Sequence, residues 1–203
     1  MSTHTFQTRL ISTGAGVLAG ITLFATGSFA SWAGVVVVGL LMAVVEEDVR
    51  HQRIPNHLTF FGFAAAILYA TCTGGLGGLL SAFGGAAAAL AVLAVPFAMR
   101  KVGAGDVKAM MALSAFFGLD ATPALLWWIT VVGGAFAVLT LVVRGGLLEV
   151  AQRWGASLLM THLESRPRYL VPAAGSTAAT GIPFGVAIAF GVAAFQNWGT
   201  TWI

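Results

Sequence analysis

Long apolar segments separated by short polar ones are the feature that most constrains this chain. We read them at residues 10–27, 29–46, 58–73, 76–99, 105–119, 122–144 and 181–199. A helix needs about 20 apolar residues to cross the hydrocarbon core, and all but the short fifth segment approach that length. The segments do not show the alternation of apolar and polar residues that is typical of barrel strands. The sequence therefore predicts an all-α fold, a polytopic transmembrane helical bundle with about six to seven spans.

The scarcity of charge favours a membrane protein over a soluble one. Charged residues make up 8% of the chain and hydrophobic residues 58%, whereas a soluble domain carries about 25% charge. The 26 glycines suit helices packed in lipid, because small residues let helix backbones approach closely. The formal net charge is only +3, so we expect the lipid bilayer, and no nucleic acid, as a partner.

The basic residues indicate the orientation of the chain in the membrane. With a cytoplasmic N-terminus and alternating spans, all ten Lys and Arg residues fall at cytoplasmic ends or in cytoplasmic loops, as the positive-inside rule requires. These residues are Arg9, Arg50, Arg53, Arg100, Lys101, Lys108, Arg144, Arg153, Arg166 and Arg168. We therefore expect a multi-pass protein with its N-terminus in the cytoplasm.

The first segment stands apart from the rest of the chain. Residues 1–28 are expected to form an extra N-terminal span, and residues 29–203 the main membrane domain. Arg9, the apolar stretch after it and the small residues around Ser28 leave a cleaved signal peptide as the alternative.

Residues 145–180 form the one long polar segment. Apolar residues recur at helical spacing from Leu147 to Leu158, and polar residues lie between them. This pattern predicts an amphipathic helix on the cytoplasmic membrane surface, followed by a loop from Arg166 to Thr180.

Two motifs place carboxylates at the cytoplasmic ends of spans. Asp48 follows the second segment and begins a stretch that ends in Ile54-Pro55-Asn56, and Asp106 lies in Gly103-Ala104-Gly105-Asp106-Val107-Lys108. Carboxylates at membrane depth are costly and are functional candidates, and the topology puts these two at one depth. Each motif alone also has a structural interpretation, in which Asp106 and Asn56 cap the helices that follow them.

Together, the two motifs resemble those of the type IV prepilin peptidases, most closely the short branch that serves tight-adherence pili. That family has an Asp at the end of one span, then a basic stretch and Ile-Pro-Asn, and later Gly-x-Gly-Asp-Val-Lys at the start of another span. Residues 183–188 are similar to the start of the family's last span. The resemblance covers about residues 30–199, so it implies a prepilin-peptidase-like membrane domain.

The resemblance implies a GxGD aspartyl protease that removes the short basic leader from prepilin-like precursors at the cytoplasmic face of an inner membrane. Asp48 and Asp106 carry over as the catalytic pair. The motif residues expected to support them are Gly103, Gly105, Lys108, Pro55 and Asn56. Two neighbouring carboxylates that share a proton can activate water, so no cofactor and no metal are expected. Larger members carry a four-cysteine insertion and N-methylate the product; because this chain has only Cys72, we expect no methyltransferase activity.

The residues beside the two aspartates allow more than one interpretation. Glu46 and Glu47 adjoin Asp48, and we expect them either to bind the basic leader or to pair with Arg50 and Arg53. Because they crowd Asp48, they also leave open which carboxylate is catalytic.

Lys108 lies two positions after Asp106, so the two side chains would not face each other on a helix. We expect Lys108 to extend to the lipid headgroups instead.

Two other functions fit the same features. A polytopic transporter or ion carrier could use Asp48 and Asp106 as a proton or cation site. A non-catalytic scaffold could pack through its glycines. A transporter should partly tolerate Asp→Glu changes and a scaffold should tolerate Asp→Ala, whereas a protease should tolerate neither.

Overall fold

The computed structural model describes residues 32–143, 146–164 and 184–199, and these form helices and no strands. The helices are α1 (Trp32–His51), α2 (Asn56–Ala98), α3 (Ala104–Phe117), α4 (Thr122–Val143), α5 (Leu147–Glu164) and α6 (Phe184–Trp198). The predicted all-α class is confirmed for this part of the chain. The predicted extra span at 10–27 and the predicted loop from Arg166 to Thr180 lie outside the described residues.

Helix α2 is a hairpin that reverses at Gly75. The φ of 57° and ψ of −138° at Gly75 lie outside the helical region. Gly78 lies against the backbone of Ala70, although residues eight apart on a straight helix would be about 12 Å apart. The rings of Phe63 and Phe83 meet edge to face with centroids 5.9 Å apart, so the two arms run side by side in opposite directions.

The two arms of α2, residues 56–74 and 76–98, coincide with the predicted segments 58–73 and 76–99. At about 1.5 Å per residue, each arm is roughly 30 Å long, which is about the thickness of the hydrocarbon core. The sequence signal for the break is the Gly74-Gly75 pair between the two apolar runs.

Helix α3 packs against both arms of α2 through small residues. The core there consists of Ala66, Ala82, Ala86 and Ala115, which are at most 3% exposed. Gly85 on the second arm lies against the backbone oxygen of Ser114 on α3. Close approach of backbones through small residues is the packing expected of helices in lipid.

Helix α1 buries one stripe that ends in a carboxylate. Val37, Leu41, Val44 and Asp48 recur at helical spacing and are all buried. The helix continues to His51, beyond the predicted end of the apolar segment at residue 46. Because the helix continues through Asp48, the Asp48 side chain lies on the same face of α1 as the apolar stripe.

Helix α6 is surrounded by other helices. A Cβ added at Gly191 on α6 would lie 2.5 Å from the Cα of Ile129 on α4. The rings of Phe195 and Phe117 meet edge to face with centroids 5.2 Å apart, which joins α6 to α3. The first turn of α6 contacts α1 near Asp48, so α6 reaches the end of the bundle that carries the carboxylate.

Within the described residues, α2 and α4 are long and apolar enough to cross a membrane, and α6 is apolar but 15 residues long. Helix α1 carries Glu46, Glu47, Asp48 and Arg50 in its last turns. The expected number of six to seven spans therefore stays a prediction.

The chain divides into two compact units, residues 1–133 with 183–203, and residues 134–182. The second unit contains α5, which forms where the sequence predicts an amphipathic helix. Leu148 and Leu158 on α5 are 68% and 66% exposed. Its location on the membrane surface stays a prediction.

Candidate active site

Asp48 is the buried carboxylate at the end of α1. The residue is 8% exposed, and its Oδ2 accepts a buried hydrogen bond of 2.6 Å from the backbone N–H of Gly185 on α6. A carboxylate removed from water needs such donors. The first turn of α6 therefore fixes the orientation of the Asp48 side chain.

Gly185 leaves the space that this contact requires. A Cβ added there would lie 3.1 Å from both the Cβ and the Oδ2 of Asp48, and 3.2 Å from the backbone oxygen of Val44. Gly185 is not among the site residues that the sequence motifs predict. It lies far along the chain from Asp48, and the available signal was the similarity of residues 183–188 to the family's last span.

Asp106 lies in the first turn of α3 and is half-buried. Its Oδ2 accepts a hydrogen bond of 3.1 Å from the backbone N–H of Gly103, the residue that precedes the helix. Asp106 thus stabilises the start of α3 from the third helical position, rather than from the N-cap position that the structural interpretation predicted. The same bond orients its carboxylate.

The two motifs contact each other through Gly105 and Ile54. A Cβ added at Gly105 would lie 2.9 Å from the Cβ of Ile54 and 3.2 Å from its backbone oxygen. Ile54 is buried in the short connection between α1 and α2. The second glycine of Gly-x-Gly-Asp therefore makes room for the segment that follows Asp48.

A hydrogen bond joins the motifs at a second point. The Nζ of Lys108 donates to the Oδ1 of Asn56 at 2.8 Å in an exposed hydrogen bond, and the extension of Lys108 to the lipid headgroups stays a prediction. The prediction that Asn56 caps α2 is wrong, because Pro55 occupies the N-cap position with φ −64° and ψ 140°. Asn56 is the first helical residue, and its amide oxygen faces α3 instead.

These contacts place the start of α3, which carries Asp106, beside the connection that follows Asp48 at the end of α1. The two residues come from different helices and from different motifs. Each accepts a hydrogen bond from a backbone N–H, Gly185 for Asp48 and Gly103 for Asp106. Two carboxyls held within a few Å of each other can share one proton and activate water.

Glu46 and Glu47 lie on the outer side of the same helix end. Glu46 forms an exposed ion pair of 2.8 Å with Arg50, as the local-pairing alternative predicted. Glu47 contacts His51 at 2.8 Å, and not Arg53 as predicted. Both glutamates are more exposed than Asp48, so Asp48 is the acidic residue of this cluster that faces the interior.

A cavity of about 410 Å³ lies between the first arm of α2 and α3. It is lined by Asn56, Thr59, Phe60, Phe63, Lys108 and Met111. The Lys108–Asn56 hydrogen bond therefore lies at its wall. In the helices described above, no group of three or more His, Cys, Asp or Glu side chains could hold a metal ion.

Comparison with known proteins identifies the family. A family model for the type IV leader peptidase family matches residues 35–138, which is half of the chain and includes Asp48 and Asp106. No curated protein and no solved structure matches the chain. The chain therefore belongs to the type IV leader peptidase family, whose members are membrane-embedded proteases of the prepilin-leader type.

Proposed function

We propose that this protein is an aspartyl endopeptidase that uses Asp48 and Asp106 to remove a short basic leader from prepilin-like precursors. The observation that carries the proposal is the contact between the two aspartate motifs, which Gly105 makes with Ile54 and Lys108 makes with Asn56. Asp48 ends α1 and Asp106 lies in the first turn of α3, so the two contacts bring together the motifs of separate helices. Each aspartate is also oriented by a backbone N–H.

The reaction follows from the chemistry of a carboxyl pair. Two close carboxylates cannot both ionise easily, so they share one proton. The charged member takes a proton from water, which attacks the carbonyl carbon of the scissile peptide. The protonated member donates a hydrogen bond to the carbonyl oxygen and later supplies a proton to the leaving amine. Because the pair titrates as a unit, neither Asp48 nor Asp106 is assigned a permanent role as the base.

Backbone N–H groups are suited to orienting the two carboxylates, because they add no charge and cannot rotate away as a side-chain donor can. The Gly185 N–H fixes Oδ2 of Asp48, and the Gly103 N–H fixes Oδ2 of Asp106. Preorganised donors reduce the reorganisation that a reaction would otherwise require. The bonds therefore support two carboxyls whose orientations are set before the substrate arrives.

The basic residues around the site support cleavage at the cytoplasmic face of an inner membrane. Arg50 and Arg53 directly follow Asp48, and Lys108 follows Asp106, so the positive-inside rule places both motifs on the cytoplasmic side. The exposed Glu46 and the partly exposed Glu47 would meet a basic leader there. The single cysteine supports a leader peptidase without the four-cysteine insertion and hence without methyltransferase activity.

The proposal is tested by co-expression with candidate pilin-like precursors and measurement of the change in precursor size. We expect Asp48→Asn and Asp106→Asn each to abolish cleavage while the protein still accumulates in the membrane, because one carboxyl cannot do the work of a shared-proton pair. Asp120→Asn is the matched control, since Asp120 is exposed and lies at the other end of α3. Cleavage by either site variant at the wild-type rate would refute the assignment. Partial function in Asp48→Glu, together with ion binding and no cleavage, would favour the transporter.

Cysteine labelling tests the orientation. In a Cys72→Ser background, we expect a membrane-impermeant maleimide added from outside to label Gly74→Cys and Asp120→Cys and to miss Arg53→Cys. The physical reason is the one-sided distribution of the basic residues. Labelling of Arg53→Cys from outside would place the carboxyl pair on the opposite side of the membrane.

A further inference from the structure

We propose that Lys108 is a positioning residue, which sets the register between the Asp106 segment and the Asp48 segment through its hydrogen bond to Asn56. The proposal rests on the proposed function of the carboxyl pair. It adds a residue that touches neither carboxyl and acts through the backbone that carries them.

The direction of the Lys108 side chain excludes a direct role beside Asp106. Two helical positions correspond to a rotation of about 200°, so the two side chains leave α3 on different sides. On its own side, Lys108 meets the start of α2, where its Nζ donates to the Oδ1 of Asn56 at 2.8 Å. The bond therefore links the first turn of α3 to the first residue of α2.

The path from Asn56 back to Asp48 is short and constrained. The backbone N–H of Gln52 donates to the backbone oxygen of Asp48 at 2.9 Å, and Gln52 has a φ of 51°, which ends α1. Pro55 has φ −64° and ψ 140°, and a proline ring leaves little freedom in φ. A displacement of Asn56 would therefore be passed to the end of α1.

Lys108 and Gly105 make complementary contacts with this connection. The contact of Gly105 with Ile54 is steric, so it limits how closely the two segments can approach. The hydrogen bond from Lys108 to Asn56 opposes their separation. Both contacts come from the same turn and a half of α3 that carries Asp106, so together they restrict both the distance and the rotation between the two motifs.

A misplacement of about 1 Å in a catalytic group can lower the rate about 100-fold. We therefore expect Lys108→Met to reduce kcat by roughly 10- to 100-fold and to change KM by less than about threefold. Lys108 and Asn56 also line the cavity between α2 and α3. A role for Lys108 in binding substrate there predicts the opposite result, a raised KM with kcat retained.

The experiment measures kcat and KM for purified Lys108→Met, Asn56→Leu and the double variant, on a precursor that the wild-type enzyme cleaves and Asp106→Asn does not. Because the two residues act through one bond, the double variant should lose no more than the worse single variant. Asn56→Asp keeps the acceptor oxygen and should retain a kcat within about threefold of wild type. Lys101→Met removes the other lysine of the chain and should leave kcat unchanged.

Three results would overturn the positioning role: losses that multiply in the double variant, a raised KM with kcat retained, or an equal loss of kcat in Lys101→Met. If Lys108→Met does not accumulate, the comparison of Asn56→Leu with Asn56→Asp decides the question in the same way. If Lys108→Met has wild-type kcat while Asp106→Asn is inactive, the positioning role alone fails. If Asp106→Asn cleaves the precursor, the proposed function fails instead.

Discussion

Gly185→Ala tests whether the first turn of α6 orients the catalytic pair. The added Cβ would lie 3.1 Å from the Cβ and the Oδ2 of Asp48 and 3.2 Å from the backbone oxygen of Val44. Carbon atoms in contact normally lie about 3.5–4.0 Å apart, so the two helices must separate by roughly 0.5 Å. The Gly185–Asp48 hydrogen bond, now 2.6 Å long, would lengthen by a similar amount.

The expected loss follows from that bond. A hydrogen bond to a charged group contributes about 1.5–3 kcal/mol, and we expect the longer bond to lose about 1 kcal/mol of it. With about 1.36 kcal/mol for each tenfold change in rate, kcat for Gly185→Ala should fall roughly fivefold. Overpacking of this kind should lower the free energy of unfolding by about 1–2 kcal/mol, so the protein should still fold.

The assay is the steady-state cleavage of a precursor by purified enzyme, with thermal unfolding measured on the same sample. Gly39→Ala is the matched control, because Gly39 lies on α1 with Asp48 and an added Cβ meets nothing within 4 Å. We expect Gly39→Ala to retain kcat. If Gly185→Ala also retains kcat, or if both variants lose it equally, the contact does not orient Asp48.

Two further predictions concern the hairpin and the acidic cluster. Gly75→Ala should lower the free energy of unfolding by about 1–3 kcal/mol, because the φ of 57° is unfavourable for a residue with a Cβ. Gly77→Ala, where an added Cβ meets nothing within 4 Å, should change the free energy of unfolding by less than about 0.5 kcal/mol. Equal unfolding curves for the two variants would contradict a strained turn at Gly75. Glu46→Gln with Glu47→Gln should leave stability within about 1 kcal/mol, since exposed ion pairs contribute about 0–1 kcal/mol. The same double variant should raise KM for a basic leader, most at low salt where charges are least screened, and a KM with unchanged salt dependence would leave only the local pairs.

The sequence predicts the helices of the described chain well where apolarity alone decides them. The Gly74-Gly75 pair separates two apolar runs at the point where the hairpin turns. The prediction fails at the end of α1, which was placed at residue 46 because the charged residues begin there. The helix continues to His51, since one face of a helix can stay buried while the others carry exposed charges.

The contacts within the site were less predictable than its residues. The two motifs identify Asp48 and Asp106, but no periodicity indicates that Gly185 would donate to Asp48 from a helix so distant in the chain. Asn56 was expected to cap its own helix because local hydrogen bonds are the ones that a sequence pattern can reveal. The structure uses its side chain for a contact with Lys108, 52 residues away, and that choice depends on tertiary packing.

The donation from Gly185 to Asp48 also orders events during synthesis. Translation adds about 5–20 residues per second, so both aspartates emerge several seconds before the glycine that orients one of them. During that interval Asp48 lacks the amide that fixes its Oδ2. On the proposed function, the Asp48 carboxylate can therefore be ordered only after the first turn of α6 has been synthesised.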